Sequence, residues 1–441
     1  MTQLTSPRPP VPQPEPAQSA EPTAAESASS GSGTVQAALR SAAHSLRVSA
    51  AAAGPAILVY VILRVLSLAT LTSLAEYARI RQPGKLVHYD GSHNMWRGWT
   101  SALDVLLSWD GRWYVLLATE GYAGPIGGAD ANGVGYYIRP SFFPLYPYTA
   151  RALAELPLIN PTVACLLVSS VSAIVAAWAM FAIGAHIHSR RFGLMLAALW
   201  AVAPANLAQN GAFTESLFTA LAGWSLFAVL KRRWLTAAGL ASIAGLTRPT
   251  ALVLAGTVGL AALVALIQGR DKWWRLFAAM AIAPLGYAGY IWHATQRLGG
   301  GNAYFDVQRI HFGSYFDFGV STVETVTHLL LGVGDEQDKP VRVLSVLLLL
   351  AAIVLTVLAA LERIPWVLVV FAVAVLVASA GSHSHISMIN RHILPAFPIL
   401  VVPALVLARA PARTAAVLLP ALAILSAYYG AWLPFVSGQA L

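Results

Sequence analysis

Residues 341–361 read VRVLSVLLLLAAIVLTVLAAL and carry one charge, Arg342. A helix of that length rises about 31 Å, close to the hydrocarbon thickness of a bilayer. Comparable apolar runs fall at about 50–74, 160–184, 193–207, 212–230, 234–247, 249–267, 273–294, 365–381, 392–408 and 414–434. The runs 234–247 and 249–267 are short and are parted by Arg248-Pro249, so the expected number of spans is nine to eleven. Hydrophobic residues make up 57% of the 441, charged residues only 11%, and mean hydropathy is +0.64. Soluble domains carry roughly 25% charged residues. The class implied is an all-α polytopic membrane protein. A β-barrel would show short alternating segments instead.

Charge placement implies an orientation. Short basic loops hold Arg190-Arg191, Lys231-Arg232-Arg233, Arg270/Lys272/Arg275, Arg363 and Arg409/Arg413. Positive loops stay in the cytoplasm, and with eleven crossings all five share one side with the amino terminus. The other side receives a first outer loop, 75–159, a second outer loop, 295–340, and a short loop, 382–391. Most acidic residues outside the amino-terminal tail go there, Asp90, Asp104, Asp110, Glu120, Asp306 and Asp317 among them. The net charge of +9 is then an orientation signal plus attraction to the lipid bilayer, with no dense basic face left for nucleic acid. Nucleotide sugars and ATP are scarce outside the cytoplasm, so a donor used there is expected to be membrane-borne. The two halves of the chain show no convincing repeat, which weighs against a two-fold transporter.

Residues 1–34 are rich in Pro, Ala, Ser, Glu and Gly and read as a disordered cytoplasmic tail. Residues 35–441 form the membrane domain, opening with a short surface helix over 35–48. The single cysteine, Cys165, sits in an apolar run, so no internal disulfide forms.

Four constellations could carry chemistry. The first is Trp109-Asp110-Gly111-Arg112-Trp113-Tyr114, followed by Glu120-Gly121-Tyr122. Asp110 can take a proton from an attacking hydroxyl. Trp109, Tyr114 and Tyr122 offer flat faces to a sugar or isoprenoid, Arg112 offers charge to a phosphate, and Glu120 is a further substrate-binding candidate. The bland alternative is an aromatic belt at headgroup level, which leaves the carboxylate unexplained. The spacing over 101–118 predicts one surface helix with Asp110 and Tyr114 on one face, ended by a left-handed Gly121. Beyond it, residues 136–147 carry three prolines and contain the candidates Arg139 and Tyr146. They read as an extended aromatic border to a groove, or as a structural re-entry into the membrane. The second constellation is Glu215, at the outer end of a span, where it either faces a polar cavity or complements a helix dipole capped by Thr214 or Asn210. The third is Arg248, which suits a lipid-carrier phosphate or a buried ion pair with Glu215. The fourth is Ser382-His383-Ser384-His385 with Asn390-Arg391-His392. No acid or cysteine stands near those histidines, so no metal is expected; Arg391 and His392 suit phosphate or sugar hydroxyls better.

These blocks, with Phe142-Phe143-Pro144-Leu145-Tyr146-Pro147, Phe213-Thr214-Glu215-Ser216-Leu217-Phe218, Gly245-Leu246-Thr247-Arg248-Pro249 and Arg391-His392-Ile393-Leu394-Pro395-Ala396-Phe397-Pro398, resemble in order those of the PIG-V family. Those are the second mannosyltransferases of GPI-anchor assembly and their bacterial relatives. The resemblance spans about 50–434. It implies a GT-C glycosyltransferase: a many-helix membrane bundle that uses a polyprenyl-phosphate sugar, with an acidic catalytic residue in the first outer loop. That role falls on Asp110. Read so, the chain is a multi-pass plasma-membrane mannosyltransferase that takes mannose from a polyprenyl-phosphate mannose donor. It delivers the sugar, with inversion, to an extracytoplasmic glycan, lipid or protein acceptor. No cofactor or divalent metal is expected. The alternatives are a transporter or flippase of a lipid-linked sugar, a non-catalytic subunit of an envelope-assembly complex, and a GT-C transferase for another polyprenyl-phosphate sugar.

Overall fold

The computed structural model describes residues 24–81, 101–123, 136–333, 339–383, 386–433 and 435. The chain divides into residues 1–52 and 53–441. Of the first unit only the amino-terminal part of helix α1 (Ala24–Arg81) is described. The second carries α2 (Ala102–Leu106), α3 (Asp110–Glu120), α4 (Leu145–Ala154), α5 (Pro161–Ile187), α6 (Arg190–Ala201), α7 (Glu215–Leu230), α8 (Trp234–Ala244) and α9 (Ala251–Ile267). Then follow α10 (Trp273–Ile282), α11 (Leu285–Arg297), α12 (Ala303–Phe312), strand β1 (Tyr315–Phe316), α13 (Val320–Leu331), α14 (Lys339–Leu361) and α15 (Trp366–Ala380). Strand β2 (Ser382–His383), α16 (Ile389–His392), α17 (Val401–Arg409) and α18 (Ala412–Trp432) complete the chain. The two short strands pair antiparallel, Tyr315 opposite His383.

The architecture is that of an all-α polytopic membrane protein. Among the described residues four helices are long and apolar enough to cross a bilayer: Arg47–Arg81, Pro161–Ile187, Lys339–Leu361 and Ala412–Trp432. Six shorter apolar helices accompany them. In α14 the large side chains Leu347, Leu350, Val354 and Val357 are exposed, while Ser345, Ala352, Thr356 and Ala359 face inward. Big apolar groups outward and small groups inward is the pattern expected where the solvent is lipid and helices associate by close packing.

Close packing is tightest between α8 and α11. A Cβ on Gly286 would stand 1.7 Å from the Ser242 carbonyl oxygen, and one on Gly245 would stand 2.4 Å from the Tyr287 nitrogen. Gly286→Ala must therefore force the two backbones apart. The substitution is expected to destabilise the bundle by about 1–3 kcal/mol, read as a lowered unfolding temperature in detergent. An unchanged midpoint would contradict the packing described.

Several expected elements are broken where the chain's chemistry demands it. The run 273–294 is two helices, because Pro284 cannot donate to the preceding turn and instead caps α11. The run 392–408 opens as α16, passes Pro395 and a 3-10 turn at Phe397–Leu400, and only then becomes α17. The run 193–207 stops at Ala201 and gives way to a 3-10 turn, Asn206–Gln209. The surface helix expected over 101–118 is two, α2 and α3, interrupted at Trp109. The stretch 136–147, expected to be extended, is a 3-10 turn, Tyr136–Ser141, followed by the start of α4. Pro147 is accepted there because the first helical turn needs no donor. The stretch 295–340, expected to be a loop, holds the apolar α13, which has no buried residue. Helix α1 is described from Ala24 onward, inside the stretch 1–34 read as a disordered tail. Residues 1–23 of the expected tail, and residues 82–100 and 124–135 of the stretch expected to be the first outer loop, lie outside the described residues.

The basic turns gather at one end. Arg191, at the α5–α6 turn, donates to the Ala410 carbonyl at the α17–α18 turn. Lys231, after α7, lies 3.2 Å from His186 near the end of α5. Trp234 Nε1 donates to Asp271, after α9, at 2.9 Å. Glu215 opens α7 and Lys231 follows its end, so about 24 Å of helix separates that carboxylate from the basic end.

Candidate active site

Four charges from four separate segments meet. Asp110 is the first residue of α3, Glu215 the first of α7, Arg391 lies in α16, and Arg248 occupies the turn between α8 and α9. Arg391 Nη2 donates to Asp110 Oδ2 at 2.6 Å. Arg391 Nε and Arg248 Nη1 both lie 3.0 Å from Glu215 Oε1, within ion-pair distance but at angles too poor for a hydrogen bond. Glu215, Arg391 and Arg248 are buried, with side chains 3%, 6% and 9% exposed, whereas Asp110 is 38% exposed. The cluster is neutral overall and opens outward through the Asp110 carboxylate. Arg391 lies over the Phe213 ring at 4.8 Å and Arg248 over Phe218 at 6.0 Å.

Backbone bonds between distant segments hold these residues in place. Ala212 N donates to Leu106 O at 2.8 Å, tying the approach to Glu215 to the helix before Asp110. Leu145 N donates to Leu246 O at 2.9 Å, tying α4 to the turn that carries Arg248. Trp200 Nε1 donates to Leu394 O at 3.0 Å, just beyond Arg391. The break at Trp109 (φ 53°, ψ −119°) puts Asp110 at a helix amino terminus, where the dipole favours a carboxylate. Such a backbone is strained for a side-chain-bearing residue, and strain of this kind collects at functional sites.

Electrostatics follow from burial. Burial works against the Arg391 charge, but the Glu215 and Asp110 carboxylates outweigh it and hold the guanidinium above its ordinary range. His392 follows Arg391 at the end of α16, beside the cluster. Tyr114, one turn after Asp110, is held above the usual phenol range by burial and by both carboxylates, and keeps its proton. Arg391 Nη1 and Arg248 Nε are buried and reach no acceptor among the described residues. Guanidinium donors left so point to a missing anionic partner.

The other sequence candidates form a second knot. Glu120 pairs with the buried Arg139 at 2.5 Å, and Arg139 also donates to the Gly121 carbonyl at 3.2 Å. Gly121 ends α3 at φ 77°, as its place after the apolar run implied. Tyr122 donates to the Phe142 carbonyl at 2.8 Å. Tyr146 is fully buried, donates to the Cys165 carbonyl at 2.7 Å and meets Ser169 Oγ at 2.8 Å. These groups are engaged with the chain itself and fasten α3 to 136–146. Ring contacts of Tyr114 with Phe142 and Tyr146, at 5.5 and 5.0 Å, link the knot to the charged cluster. Trp109, partly buried, packs against the apolar cluster that contains Phe213, and Arg112 is partly buried.

One brace was missed from the sequence. Arg64, within the first apolar run, donates to Asn210 Oδ1 at 2.7 Å and to the Ala201 carbonyl at 3.2 Å. Tyr60 donates to Gln209 Oε1 at 2.9 Å, and Ser216 Oγ to the Gln209 carbonyl at 2.7 Å. The signal was available: a lone Arg in a span is costly and therefore has a purpose. Here it holds the 206–214 segment that presents Glu215. Among the described residues no three His, Cys, Asp or Glu gather as a metal site, and His385 lies outside them. His383 instead stacks on Tyr315 at 4.7 Å.

Fold and site together define a polytopic helical membrane protein with a half-open carboxylate over a buried pair of arginines. No family model matches the chain, and no curated protein matches it. Among solved structures it is similar to ArnT from Cupriavidus metallidurans. The apo state matches with TM-score 0.44 and 17% identity over 68% of this chain and 55% of that chain. The form bound to undecaprenyl phosphate matches with TM-score 0.47 and 15% identity over 87% of this chain and 76% of that one. The chain thus spans about half the length of the apo ArnT it matches.

Proposed function

We propose that this chain is a membrane glycosyltransferase that moves a sugar, mannose, from a polyprenyl-phosphate donor to an acceptor hydroxyl outside the cytoplasm, with inversion. The observation that carries the reading is the pairing of a half-exposed Asp110 with arginine donors that lack acceptors. The mannose assignment is drawn from the PIG-V-like sequence blocks.

The mechanism follows from the charges. The donor phosphate enters against Arg391 and Arg248 and takes up their idle N–H groups. Arg391 now bonds Asp110, so a phosphate that draws Arg391 away frees Oδ2 for a new proton. The acceptor hydroxyl oxygen attacks the anomeric carbon as Asp110 takes its proton. The bond from the anomeric carbon to the phosphate oxygen breaks, and the phosphate leaves as an anion held by the arginines. Attack opposite the leaving group inverts the carbon. Glu215 keeps the two arginines from repelling one another while the site is empty.

Two guanidinium groups can neutralise the leaving phosphate, so transfer is expected to proceed undiminished in excess chelator. Loss of transfer in EDTA, restored by Mg²⁺ or Mn²⁺, would contradict this mechanism. The reading as a whole is tested by supplying polyprenyl-phosphate mannose labelled in the sugar. Label should leave the carrier for a new membrane product, and polyprenyl-phosphate glucose should be a poor substitute.

A further inference from the structure

At the basic end, α7, α9 and α14 each finish with a left-handed residue two positions after the helix. In α9 it is Gly269, at φ 61°; in α7 it is Arg232 and in α14 Arg363, both at φ 55°. The α7 and α9 turns share one hydrogen-bond pattern: Arg233 N reaches Ala228 O at 2.8 Å, and Arg270 N reaches Ala265 O at 2.9 Å. Glycine is the residue at ease in that position, and a side chain there is strained. A cation complements the helix dipole, but Lys231 and Arg233 already supply one beside α7 without a left-handed backbone.

Arg232 lines a cavity of about 160 Å³ between the ends of α7, α9 and α15. The polar Arg270 and Gln268 and the apolar Leu230, Val264 and Trp366 also line it. Neither arginine forms an ion pair among the described residues. The nearby Asp271 is occupied, accepting from Trp234 Nε1 at 2.9 Å and from the Lys272 backbone at 2.7 Å. Beside the cavity, α9 exposes Leu263 and Ile267 along its apolar face. A phosphate ester with an apolar tail matches this setting: two guanidinium groups without an ion pair in the lining, apolar residues beside them, and an exposed apolar strip adjoining.

We propose that this cavity binds an anionic phospholipid, its headgroup phosphate between Arg232 and Arg270 and its glycerol end along Val264 and Trp366. The site stands apart from the Asp110 cluster and does not depend on the transferase reading.

The test is native mass spectrometry of the detergent-purified full chain with added phosphatidylglycerol or phosphatidylcholine. The wild type should retain phosphatidylglycerol roughly tenfold better. Arg232→Gly and Arg270→Gln should each lose most of that preference. Arg232→Gly should keep the wild-type unfolding temperature, because glycine relieves the turn, and this separates binding from folding. Arg409→Gln/Arg413→Gln, at another basic turn, should keep the preference. An Arg232→Gly protein that still prefers phosphatidylglycerol overturns the proposal. So does an equal loss in the Arg409/Arg413 variant, which would mean diffuse surface charge. Displacement of the lipid by millimolar inorganic phosphate would mean a soluble-anion site and also overturns it.

Discussion

Asp110→Asn should reduce sugar transfer by roughly 10²–10⁴-fold, the usual contribution of a positioned general base. Asn has nearly the same shape and still offers an oxygen to Arg391 Nη2, now 2.6 Å from the carboxylate. The variant should therefore fold, reach wild-type levels in the membrane, and bind donor as well as the wild type does. The loss should fall on kcat and leave the donor KM nearly unchanged, because the proton moves only as the bond forms. Retention of more than about a tenth of the activity would remove Asp110 from the base role. A large rise in KM with kcat preserved would recast it as a donor-binding group.

Arg391→Ala should be the most damaging substitution to fold and activity together. It strips Asp110 of its 2.6 Å partner and Glu215 of one of its two. Breaking a buried ion pair by removing one member typically costs about 3–5 kcal/mol, so a much lower unfolding temperature in detergent is expected. Arg391→Lys separates structure from chemistry. A lysine keeps the positive charge but cannot bridge two carboxylates through a planar fork. It should recover most of the stability yet leave transfer lower by roughly 10²-fold, the scale of losing one fixed donor to a developing anion. Full activity with Lys would show that charge alone suffices there and that the fork geometry has no catalytic part.

Much of this was legible in the residues. The apolar runs are visible because lipid tolerates few charges, and the basic turns are visible because they interrupt those runs. Glu215, Arg248 and Arg391 stood out as ionisable groups at the edge of apolar stretches, and Asp110 as a carboxylate set among aromatic and basic residues. Their convergence on one cluster was not legible, because 281 positions separate the Arg391–Asp110 pair and partner choice is made by packing. Of the two readings of Arg248, the ion pair with Glu215 is the one seen, and its buried Nε has no acceptor among the described residues. The break at Trp109 escaped because apolar spacing continues through it, and only the backbone angle reveals it. Arg139 and Glu120 carry the same residue chemistry as the central cluster, yet satisfy one another at 2.5 Å. Spacing does not show which distant partner each charge takes.

The central claim is that a glycosidic bond is made here, and one measurement tests it most directly. Purified protein is placed in proteoliposomes with sugar-labelled polyprenyl-phosphate mannose and an extract of membrane acceptors. The account predicts that label passes from the carrier to a new product in the presence of the wild type and not with Asp110→Asn. If the label instead remains on the carrier and only changes leaflet, equally with both proteins, the chain moves lipid-linked sugars and does not transfer them.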